Sequence, residues 1–111
     1  MFLTRPAVEA TLRLVAGLPA PTTIVFSFIL SDDALPPEEA ERKRAVVAGF
    51  VRGDAPWLTD FHPDALRDTL HGLGFRDVFL LTPEAAGARY LTGRRDGMRS
   101  RPVEQVYRAT V

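Results

Sequence analysis

The run TTIVFSFIL at residues 22–30 constrains the fold more than any other stretch. Ile24, Val25, Phe26, Phe28 and Ile29 do not alternate with polar residues, so the spacing predicts a strand buried on both faces. Strands of that kind belong to parallel sheets covered by helices. Such a strand wants a neighbour along each edge, and an edge left open is a pairing hazard.

The elements around it follow from local chemistry. Residues 1–3 read as a short strand stub. Thr4 can cap a helix whose first turn tolerates Pro6, with Val8, Leu12 and Val15 inward and Gly17 and Pro19 at its end. After the turn at 31–36, Pro37 opens a second helix with Glu38, Glu39 and Glu41 at its positive end, and Val46, Val47, Phe50 and Val51 as the expected buried stripe. Residues 53–56 read as a loop. A third helix is expected over 63–73, with Leu66, Leu70 and Leu73 inward and Gly74 as its left-handed cap. Residues 78–81 predict a short buried strand. Thr82-Pro83-Glu84 starts a helix that ends near Gly93. Val103, Gln105, Tyr107 and Ala109 alternate along a last strand with one wetter face, which can pair antiparallel with 78–81. The order is β-α-β-α-α-β-α-β, an α/β layer structure, and the opening stub together with the doubly buried strand suggests part of a larger sheet.

Composition removes several functions. The 111 residues allow one domain at most, and 14 basic residues against 14 acidic ones leave no global pull towards nucleic acid or an anionic membrane. The absence of cysteine excludes disulfides, thiolate metal sites and a cysteine nucleophile. The longest apolar run is too short to span a bilayer, and Arg5, Pro6, Glu9 and Arg13 interrupt any signal-peptide core, so a soluble cytoplasmic protein is expected.

Few residues offer chemistry. Asp32 and Asp33 follow the carboxyl end of the central strand, where open α/β sheets bind ligands; general-base or ribose-binding work and simple turn formation both account for them. His62 and His71 have no third ligand in view, which argues against a metal. Gly72-Leu73-Gly74 follows a helix instead of a strand, so it is no dinucleotide fingerprint, and no G-x-G-x-x-G or Walker loop occurs elsewhere. Arg89, Arg94, Arg95, Arg99 and Arg101 form the one basic concentration, suited to an anion contact or to a solvated loop with local ion pairs. Trp57 and Phe61 can close over a ligand or pin a loop to the core.

Four stretches together resemble bacterial S-adenosylmethionine-dependent methyltransferases related to leucine carboxyl methyltransferase. Met1-Phe2-Leu3-Thr4-Arg5-Pro6-Ala7-Val8 is similar to that family's M-Y-L-T-x-x-A-V segment, with Phe2 in place of the tyrosine. Thr22-Thr23-Ile24-Val25-Phe26 is similar to its strand x-x-I-V-F, and Ser27 stands where an aspartate is common. Pro56-Trp57, Phe61-His62-Pro63, Leu66, Leu70 and Leu73-Gly74-Phe75 follow its P-W, F-x-P and L-G-F pattern. Leu81-Thr82-Pro83-Glu84-Ala85 and the run from Arg89 to Arg99 are similar to its closing signature.

The resemblance implies a partial Rossmann-like methyltransferase sheet, from the end of strand four to strand seven, with an antiparallel last strand beside the fifth. Residues 1–111 then form the substrate-side half of the domain. The cofactor half, with its glycine-rich loop, lies outside this sequence, so S-adenosyl-L-methionine is the family's cofactor but is not expected to bind this chain alone. The implied reaction is O-methyl transfer to a small carboxylate or hydroxyl substrate, in which positioning does most of the work. Phe2, Ser31, Asp32, Asp33 and Trp57 are the candidate substrate-pocket residues. A complementary N-terminal half, or a second copy through the open edge of strand 22–30, is the expected partner. The alternative is a non-catalytic α/β binding or dimerisation module.

Overall fold

A computed structural model of the protein describes residues 1–51 and 57–111. The loop expected at 53–56, Pro56 of the Pro-Trp pair and the Val51 side chain lie outside the described residues.

Helix α1 (Arg5–Ala16) begins where Thr4 Oγ1 accepts from the Ala7 N–H at 3.4 Å, and Gly17 closes it. Strand β1 (Thr23–Ile29) runs from the following loop into a single 3-10 turn at Asp32–Ala34. Helices α2 (Pro37–Val51) and α3 (Pro63–Gly72) come next. His62 caps α3, its Nδ1 accepting from the Asp64 N–H at 3.3 Å, and Gly74 takes a φ of 104° that a Cβ would strain. Strand β2 (Asp77–Leu81), helix α4 (Pro83–Tyr90) and strand β3 (Glu104–Thr110) complete the described chain. Thr82 caps α4 as its Oγ1 accepts from the Ala85 N–H at 3.2 Å.

The sheet order is β1-β3-β2, and β3 is antiparallel to both neighbours. The two outer strands are therefore parallel to each other, and the expected antiparallel pairing of the last two strands is present. Residues 1–3 form no strand. Met1 O instead accepts from the Leu58 N–H at 2.8 Å, so this segment lies against residues 58–59 and adds no fourth strand beside β1.

The expectation that strand 22–30 is covered on both faces is corrected. Ile24, Phe26 and Phe28 pack inward with Tyr107 and Ala109 under Leu12 of α1 and Leu66 and Leu70 of α3. Thr23, Val25 and Ser27 face outward, and Val25 is 65% exposed. Among the described residues, α1 and α3 cover one face of the sheet and the short α4 lies beside Val25 and Phe79 on the other, where Phe79 of β2 is exposed as well. An apolar run records how hydrophobic a strand is, and the helix placement decides how many of its faces are covered.

Among the described residues, one edge of β1 is open. Leu30 N–H donates to Val103 O and Val111 N–H donates to Thr22 O, so the even-numbered residues of β1 face β3. Thr23, Val25 and Ser27 turn their N–H and C=O groups the other way. Phe61 occupies only the far end of that edge, its N–H donating to Ile29 O at 2.9 Å and its carbonyl accepting from Ser31.

Helix α2 differs most from its sequence pattern. Val46 is 48% and Phe50 41% exposed, while Ala40 and Lys43 are buried and Val47 half-buried. The inward stripe is Ala40, Lys43 and Val47, at the i, i+3, i+7 spacing of one helical face. A lysine holds the position that hydrophobicity alone would give to valine.

Candidate functional site

The carboxyl end of β1 opens onto a cleft of about 650 Å³ between the 3-10 turn, α2 and the extended segment 57–60. Ser31, Asp32 and Asp33 enter it from the turn, Lys43 and Arg44 from α2, and Trp57 and Asp60 from the segment. Four of the five sequence candidates thus converge. Phe2 does not line this cleft; it is 51% exposed.

The centre of the site is a residue that sequence reasoning passed over. Lys43 Nζ donates to Leu30 O at 2.6 Å and to Asp60 Oδ2 at 2.5 Å, and pairs with Asp32 Oδ1 at 3.0 Å. An ammonium has three N–H donors, and three acceptors surround this one. Arg44 adds a 3.0 Å contact to Asp32 Oδ2. The signal in the sequence was that Lys43 is the sole lysine beside thirteen arginines. A compact ammonium directs its three donors pyramidally from one atom, whereas a guanidinium confines its donors to one plane and needs more room.

The Lys43 hydrogen bond, with the Arg44 contact second, holds the Asp32 carboxyl below its ordinary value of 3.8. A carboxyl with a depressed folded-state value contributes stability that is full above its unfolded value and is lost as pH falls through the folded one. Acid unfolding followed by circular dichroism therefore steepens below about pH 4 in the parent protein. Asp32→Asn flattens that limb; an unchanged acid limb would refute the linkage.

Asp33 has no basic partner within ion-pair distance among the described residues. The Ser31 hydroxyl is the main influence holding its carboxyl below the usual range. That hydroxyl makes no hydrogen bond of good geometry: Ser31 Oγ and Trp57 Nε1 are both buried without a partner. Trp57 packs on Phe50 with ring centroids 5.6 Å apart, while Phe61 is the residue that pins the segment, buried under the Arg5 guanidinium at 4.5 Å.

Elsewhere the sequence candidates are quieter. Arg94 pairs with Asp96 through two contacts, and Asp96 also accepts from the Met98 N–H, so the arginine-rich loop carries a local ion pair on the surface. His71 lies on an exposed position with Nδ1 3.0 Å from Phe75 O. Among the described residues no group of three His, Asp or Glu side chains is placed to hold a metal ion, and no helix is long and apolar enough to cross a membrane.

The two connections from strand to helix, 30–36 and 82, contain no glycine, and Thr82 closes the first turn of α4 with its own side chain. Neither carries the glycine turn on which a strand-to-helix connection usually seats a nucleoside cofactor. Comparison of the chain with protein-family models, curated proteins and solved structures finds no match.

Proposed function

We propose that the chain is the substrate-side half of a cytoplasmic class I methyltransferase, seating a small acceptor for O-methylation in the cleft at the carboxyl end of β1. The observation that carries this reading is the sheet order: the last strand is inserted antiparallel between two mutually parallel strands. The resemblance implied an antiparallel last strand beside the strand at 22–30. The convergence of Ser31, Asp32, Asp33 and Trp57 supports it further. On this reading Lys43 sets the shape of the cleft, and the methyl donor comes on a complementary N-terminal half.

The test is calorimetric titration of the folded chain with S-adenosylmethionine and S-adenosylhomocysteine. The chain alone gives no saturable heat, and labelled methyl is transferred to a small hydroxyl or carboxylate acceptor once a complementary chain carrying strand-G-x-G-x-x-G-helix is co-expressed. Saturable binding by this chain alone overturns the half-domain reading. Binding without transfer in the complemented pair overturns the methyltransferase.

The open edge of β1 favours a second reading, a dimerisation module. Thr23, Val25 and Ser27 offer paired N–H and C=O groups, and the strand carries no charge, proline or bulge to discourage pairing. Antiparallel pairing of two copies about Val25 places Thr23 opposite Ser27 and satisfies all three residues in a closed two-fold contact. Sedimentation velocity then shows a concentration-dependent dimer that Val25→Lys converts to monomer. A parent protein that stays monomeric at high concentration rules this reading out.

A further inference from the structure

We infer that the outer face of the sheet, beside α4, is a docking surface for an acidic amphipathic helix of a partner protein. The inference is independent of the methyltransferase reading, since it uses no residue of the cleft at the carboxyl end of β1.

The strand register lays out the surface. Val25, Arg108 and Phe79 lie abreast across β1, β3 and β2, and Ser27, Val106 and Leu81 form the next row. From β1 to β2 is two interstrand spacings, about 10 Å, which matches the width of one helix with its side chains. Val25 and Phe79, with Tyr90 of α4, are exposed around a single groove of about 170 Å³. The opposite face of the same strands is buried under α1 and α3. A sheet face this apolar is ordinarily buried against another element as well, and among the described residues only α4 stands beside it.

Charge selects the occupant. Among the described residues, two arginines and no carboxylate line the groove. Arg108 is engaged, pairing with Asp77 at 2.7 Å and lying over the Phe79 ring at 5.6 Å. Arg89 has no acidic partner within ion-pair distance among the described residues. It also opens the segment 89–101, which carries five arginines against one aspartate in a chain of no net charge. That aspartate, Asp96, is taken by Arg94. The potential where α4 ends is therefore positive and steers an acidic partner towards the groove. A second copy is disfavoured, because two such faces would set the arginines of one against those of the other. A helix bearing an apolar stripe between acidic flanks fills the groove and gives Arg89 its partner.

The probes are two synthetic helices of about 18 residues with the same leucine stripe at i, i+3, i+4 and i+7. One carries glutamates along both flanks of the stripe, the other lysines at the same positions. Amide shifts of the folded chain are followed by NMR in titration with each. The glutamate peptide saturates, with its shifts centred on Val25, Phe79 and Val106. It binds about tenfold or more tighter than the lysine peptide at low salt, and the gap narrows at high salt. Arg89→Glu abolishes that preference, and Phe79→Ser weakens both peptides. Tyr90→Ser repeats the Phe79 test without touching the sheet. The inference is overturned if neither peptide binds, if the two bind alike, if Arg89→Glu leaves the preference unchanged, or if the shifts fall in the cleft at the end of β1. Two further outcomes overturn it by reassigning the face. Phosphatidylglycerol vesicles that sediment the parent protein and not Phe79→Ser give it to a membrane, and a dimer that Phe79→Ser dissolves gives it to a second copy. Phe79 lies two strands from the open edge of β1, so that last result is separate from the edge pairing tested by Val25→Lys.

Discussion

Replacing Lys43 by methionine lowers the melting temperature by about 10 °C, the larger part of what any single polar substitution in this chain can do. The side chain is 5% exposed and ties together three segments far apart in sequence: the end of β1 through Leu30 O, the 3-10 turn through Asp32, and the 57–60 segment through Asp60. Methionine fills most of the volume, so the loss is electrostatic. Breaking a fully enclosed pair costs about 3–5 kcal/mol, because the surviving charge is stranded. Here Asp32 and Asp60 keep 42% and 44% exposure, so water recovers part of the loss, and about 2 kcal/mol remains. Arg44→Met is the control. Its pair with Asp32 is 61% exposed on the arginine side, and the melting temperature moves by about 2 °C or less.

The location of the loss is as informative as its size. Hydrogen exchange at the Phe61 and Ser31 amides, which bond across the join between β1 and the 57–61 segment, accelerates in Lys43→Met. Amides of β3 bonded to β2 do not. Lys43→Arg keeps the charge, but its larger planar head does not match the ammonium's enclosed position, and it recovers only part of the stability. A methionine variant that melts within about 2 °C of the parent would show that the cluster contributes shape to the cleft and no stability.

The parts of this fold that could be read from sequence are those whose causes lie within a few residues. Thr4 and Thr82 cap their helices as expected, and Gly74 takes the left-handed turn after α3. The alternation of Gln105, Tyr107 and Ala109 identified the buried face of β3. The corrections came where the cause is non-local. Val25 looks as buried as Phe28 by composition, and only the placement of α1 and α3 on one face separates them. The inward turn of Lys43 depends on acceptors up to 17 residues away, and no periodicity in α2 announces them. Ser31, Asp32, Asp33 and Trp57 were legible as candidates because strand ends and loop aromatics are where α/β sheets place ligands. Phe2 was carried by the resemblance alone and stands outside the cleft.

Tyr107→Ala is expected to cost more than any polar change, about 3–5 kcal/mol, a large share of the 5–15 kcal/mol usual for a whole domain. The residue is fully buried in the middle strand of the sheet, where every layer meets. Its ring stacks on Phe28 with centroids 5.1 Å apart and an interplanar angle of 10°, and Phe26 leans on it at 6.2 Å. Its hydroxyl donates to Pro63 O at 2.8 Å, joining the sheet to the first turn of α3. Truncation to alanine opens a cavity beneath α1 and α3, and urea unfolding detects it as a lower midpoint with an unchanged slope. Tyr107→Phe separates the two contributions. It keeps the stack and loses only the hydrogen bond, about 1 kcal/mol. Alkaline pH gives a second, independent readout. Burial, opposed in part by Arg67, raises the phenol above its ordinary value of 10.0. The folded state therefore holds its proton after the unfolded chain has released it, and stability falls as pH rises past about 10. Tyr107→Phe removes that contribution and flattens the alkaline limb. If alanine and phenylalanine cost the same, the stacked core around β3 would not be the main source of stability, and the single hydrogen bond to α3 would be.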